Sequence, residues 1–115
     1  MVGALANAAC MESHVAEGII EKCLEPRSVV ASVVRAFPDA YGAEAAFALT
    51  AVAAGLEHPV LKNQDDYYPQ RQELYRCAAL LAADICAVEV LTNRRSTCAA
   101  IGAFWDRSGE VFFQA

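Results

Sequence analysis

From residue 40 to residue 55 the chain reads AYGAEAAFALTAVAAG and carries one charge, Glu44. A helix with almost no hydrophilic face has to be covered on more than one side. The segment is therefore expected at the centre of a bundle, with Asp39 capping its start and Gly55 ending it. Its alanines and glycines would let neighbouring helices approach closely, so enlarging one of them should be costly through overpacking.

A second stretch has the same character. Between Cys77 and Leu91 the only charges are Asp84 and Glu89. A long, mostly buried helix is expected from about Pro69 to Thr92, with the proline tolerated in its first turn. Arg94 and Arg95 then fall near its C-terminal end, where cations offset the helix dipole.

The amphipathic segments lie N-terminal to these. Residues 4–24 place Ala8, Met11, Val15, Ile19 and Cys23 on one stripe and His14, Glu17, Glu21 and Glu25 on another, at helical spacing. Pro26 interrupts the pattern. The valine-rich run after it has a strand-like composition, but Val29, Val33 and Phe37 share a helical face, with Ser28 as a cap and Pro38 as a stop. Residues 56–70, LEHPVLKNQDDYYPQ, read as an irregular loop. At the C-terminus, residues 98–114 read as a β-hairpin turning at Asp106–Gly109, because Ile101, Ala103 and Trp105 alternate with Gly102 and Phe104. The expected fold is mainly α: one domain over 1–115, a small bundle of about four helices with a C-terminal β-hairpin.

Composition narrows the partners. The chain has 115 residues and a mass of 12.3 kDa, and 24 of its 65 apolar residues are alanine. Its formal charge of -5 disfavours nucleic acid and anionic lipid. No apolar run reaches the roughly 20 residues that span a bilayer, and no basic n-region marks a signal peptide, so the cytoplasm is the default location. Cys10, Cys23, Cys77, Cys86 and Cys98 have no CxxC spacing and sit among apolar neighbours, as free buried thiols do.

Chemical motifs are sparse. No phosphate loop, HExxH, nucleophile elbow or EF-hand loop is present, and no cofactor is expected. His14, Glu17 and Glu21 share a helix face and could offer an imidazole and two carboxylates to a metal, although a solvated face has the same pattern. His58 with Asp65 and Asp66 could line a hydrolytic cleft in the 56–70 loop. Cys10 lies four residues from His14, the nearest approach to a thiol–base pair. Asp84 stands alone among apolar residues and, if buried, needs a donor.

The favoured functional reading is a small non-enzymatic interaction, inhibitory or regulatory protein. Its partner would be another protein or a second copy in a homodimer. Asp65, Asp66, Tyr67 and Tyr68 in the loop and Trp105, Phe112 and Phe113 in the hairpin are the expected contact residues, since aromatic side chains combine buried area with specific geometry. The alternative is a small metal-binding or hydrolytic enzyme built on His14, Glu17 and Glu21 or on His58, Asp65 and Asp66.

Overall fold

The computed structural model describes residues 2–56 and 67–108. Among them are five α-helices: α1 (Val2–Ala16), α2 (Pro26–Ala36), α3 (Gly42–Gly55), α4 (Tyr68–Thr92) and α5 (Cys98–Ser108). A π-helical turn, Glu17–Glu21, extends α1. The described residues contain no β-strand, only one isolated bridge between Tyr41 and Thr97.

The expected hairpin is therefore corrected. Residues 98–108 are a helix, and residues 109–114 lie outside the described residues. Cys98, Ile101, Gly102 and Trp105 recur at helical spacing and are all buried, while Ala99, Ala103 and Asp106 are exposed. The start of α5 is fixed by Thr97, whose Oγ1 accepts the Ala100 N–H at 3.1 Å. The two-residue alternation of bulky and small residues was real in the letters, but the helical period placed the larger side chains in the core.

Helix starts also differ. α2 begins at Pro26 rather than after Ser28, with the proline in the first turn. α3 begins at Gly42 rather than after Asp39, and the Tyr41 N–H donates to Glu44 Oε2 at 2.7 Å. Gly42 allows that entry to lie against the core. A Cβ there would collide with Ile101 Cδ1 and stand 2.8 Å from Ile85 Cγ1. The Gly42 N–H reaches Ser96 O at 2.8 Å, and the Cys98 N–H reaches Ala40 O at 2.7 Å, joining the α2–α3 connection to the α4–α5 connection. α4 ends at Asn93 in the left-handed conformation, φ 55°, a position that asparagine tolerates.

The helices form two layers. α3 lies between α1 and α4, and α2 crosses all three from one side with α5 beside it. The shortest dimension of the molecule is 20 Å, the thickness of two helices at about 10 Å each. Met11, Val15, Val30, Leu49, Leu81 and Trp105 are among the side chains sealed between the layers.

As expected for a central helix, α3 is covered on more than one side, by α1, α4 and α2, but neither it nor the apolar part of α4 is enclosed. Ala45, Ala48, Leu49, Val52 and Ala53 of α3 are buried, but Phe47 is 58% exposed. On α4, Leu81, Asp84, Ile85 and Val88 are buried, whereas Val90 is 82% exposed. An absence of charge here does not mean burial.

Candidate functional site

The metal-like face of α1 does not assemble. His14 Nε2 lies 2.7 Å from Ser32 Oγ on α2, and its ring meets Phe37 edge-on at 5.7 Å. Glu17 pairs with Lys22 at 3.7 Å on the surface. The intervening turn is widened by a bond from the Lys22 N–H to Glu17 O, five residues back, which displaces Glu21 from the row that an α-helix would give. Among the described residues no group of three or more His, Cys, Asp or Glu side chains could hold a metal ion. The His14–Ser32 contact has the spacing of a base and a nucleophile. Ser32 lies inside α2, however, where backbone N–H groups are used by the helix, so no pair of free donors flanks the hydroxyl for an oxyanion. The contact ties α1 to α2.

The five cysteines divide. Cys77 and Cys98 are buried, and Cys10, Cys23 and Cys86 are exposed, which corrects the expectation of five core thiols. Burial, helped by the nearby Glu73 carboxylate, pushes the Cys77 thiol from 9.0 up to about 11. Burial and the Glu44 charge push Cys98 up to about 11 as well. Neither is a thiolate near neutrality, so neither is an activated nucleophile. Cys10 and His14 do line one shallow cleft with Ser13 and Phe37.

Of the expected contact residues, Trp105 is 1% exposed, and its indole N–H donates to Asp84 Oδ2 at 2.8 Å. Asp84 is itself 3% exposed, so the lone carboxylate of α4 is a core partner that fastens α5. The Arg35 guanidinium lies 6.0 Å from the Trp105 ring and meets Asp106 at 3.4 Å. Tyr67 is half-buried against the core, and Tyr68 is exposed with the Arg71 guanidinium 4.9 Å from its ring centre. His58, Asp65, Asp66, Phe112 and Phe113 lie outside the described residues.

The surface that the structure does assemble was not anticipated. On α1 and its π turn, Ala9, Ser13 and Ile20 are exposed, with Ala16 half-buried between them. On α3 the exposed row is Ala43, Phe47, Thr50 and Ala54. On α4 it is Ala79, Ala82, Cys86 and Val90. Each row lies opposite its helix's buried residues, which pack against α2 on all three helices and against α5 on α3 and α4. The three rows therefore share the outer side of the α1–α3–α4 layer; their own residues carry no charge, and Glu12, Glu17 and Glu21 flank the α1 row. Phe47 is the one bulky projection on α3. Beside it, between α1 and α3, runs a groove of about 400 Å³ lined by Ala16, Ile20, Ala51, Gly55 and Leu56 and by the polar Glu12 and Ser13. The sequence signal was present as residues spaced three or four apart on the side of α3 and α4 away from the bulkiest aliphatics.

Comparison with protein-family models, with curated proteins and with solved structures finds no match to this chain.

Proposed function

We propose that this chain is a protein-interaction domain that docks through the outer face of α1, α3 and α4. The observation that carries the reading is the 58% exposure of Phe47 at the centre of that face. Three helices side by side, each presenting about 11 residues, make a face of roughly 30 Å by 17 Å, or about 500 Å². That is at the upper end of apolar patches on monomeric proteins, where such patches are often functional. The chemistry argues in the same direction. The face offers small side chains and one aromatic anchor, a combination suited to close packing against another protein.

The test is a photo-crosslinking amino acid placed at position 47 of the full chain in living cells, with position 103 on the exposed side of α5 as control. Discrete protein adducts at position 47 and none at position 103 are expected. An absence of adducts at 47, or the same adducts at both positions, contradicts the reading.

A further inference from the structure

Resting on that docking surface, we infer that its occupant is a second copy of this chain, bound face to face by reciprocal insertion of Phe47 into the groove between α1 and α3. Three observations select the second copy. The chain has a net charge of -5, so two copies repel through most of their surface. The α3 and α4 rows of the outer face carry no charge, so two copies can meet there with the acidic residues Glu12, Glu17 and Glu21 confined to its α1 edge. Its extent of about 500 Å² on each copy gives about 1,000 Å² in a dimer, the lower limit for a specific interface.

The shape then fixes the arrangement. An isologous dimer needs a projection and its recess on one face of one molecule. Phe47 is 58% exposed, and Gly55, in the wall of the groove, lies two turns along the same helix. A groove of about 400 Å³ has room for a phenyl ring, since an apolar cavity of about 150 Å³ accepts benzene. A twofold axis across α3 near Thr50 sets the two α3 helices antiparallel and delivers each Phe47 to the other copy's groove. Both contacts form together or neither does.

Each half of the contact can be removed without touching the core. Phe47→Ala removes the projection. Gly55→Leu fills the recess, because a Cβ at Gly55 meets nothing within 4 Å. Sedimentation of the full chain under reducing conditions is expected to show the 12.3 kDa species converting to a dimer as its concentration rises through the micromolar range. Each variant alone is expected to weaken the dimer by about tenfold or more, the range of a central aromatic anchor. Mixing the two variants leaves one intact pairing, Phe47 of the Gly55→Leu chain in the open groove of the Phe47→Ala chain. The mixture should therefore associate more strongly than either variant alone. A chain carrying Thr50→Cys, with Cys10, Cys23 and Cys86 replaced by serine, should form a disulfide-linked dimer on mild oxidation.

A chain that stays at 12.3 kDa at every concentration overturns the proposal, as does a dimer indifferent to both variants. If position 47 still captures a different protein in cells, the docking face stands and only its occupant is wrong. If position 47 captures nothing, the docking face itself fails.

Discussion

Asp84 and Trp105 show how one buried polar pair can hold a small fold together. The carboxylate sits in the middle of α4, and the indole N–H of α5 satisfies it at 2.8 Å. Removing it leaves a buried donor without its acceptor, at a cost of about 1–3 kcal/mol. Asp84→Ala is therefore expected to lower the unfolding free energy, measured by denaturant titration, by that amount, and Asp84→Asn, which keeps an oxygen acceptor, by less. Equal losses in the two variants would mean that the hydrogen bond contributes nothing beyond packing. The thiols give a second test at this scale. In the folded chain at neutral pH, an alkylating reagent should label Cys10, Cys23 and Cys86 and spare Cys77 and Cys98 until the protein unfolds. Because burial holds both inner thiols neutral up to about pH 11, their contribution to stability is complete below pH 9.0. From there to about pH 11 only the unfolded chain loses these protons, so stability falls as pH rises. Replacing Cys77 and Cys98 with alanine should flatten that part of the stability–pH curve. The need for a partner at Asp84 was legible in the sequence, since a lone acid among apolar letters is costly unless satisfied. That the partner would be Trp105 was not, because their contact spans 21 residues and depends on how α5 crosses α4.

At the scale of the elements, caps and breakers decided more than residue preference. Pro26 and Gly55 punctuate the helices much as their letters suggest. α5 reads as a strand in the sequence because Gly102 and Phe104 between Ile101, Ala103 and Trp105 mimic a two-residue alternation. Short apolar runs of this length satisfy both periods, and the deciding contacts are tertiary. Buried Cys98, Ile101 and Trp105 all face α2, α3 and α4 only when the segment is helical. The local signal that could have favoured the helix was Thr97, three residues before Ala100. Thr97→Ala is expected to cost about 1 kcal/mol through loss of that cap, with the loss measured by thermal or denaturant unfolding. An unchanged midpoint would show that the α5 start is held by the neighbouring backbone bonds alone. The π turn was equally hidden. Its widened bond from Lys22 to Glu17 separates acidic residues that a continuous α-helix would have stacked.

For the whole molecule, the low charge of α3 and α4 proved to have two causes. One side of each helix is buried in the core. The other side is uncharged yet open, and it belongs to the outer face of a slab 20 Å thick. Sequence alone cannot separate these cases, because a buried alanine and an exposed one are the same letter. Only the two-layer arrangement reveals which side is left uncovered. Among the described residues no helix is long and apolar enough to cross a membrane. The same arrangement makes salt a diagnostic. Association through this face between two chains of charge -5 should strengthen as salt screens their repulsion, whereas docking of a basic partner should weaken. The most direct measurement is sedimentation equilibrium of the full chain and of Phe47→Ala at low and at about 0.5 M salt, where the Debye length falls to several ångströms. The account predicts a wild-type dimer that tightens with salt and a Phe47→Ala chain that remains mostly at 12.3 kDa over the same concentrations. A dimer that dissociates with salt, or one that Phe47→Ala leaves intact, would contradict it.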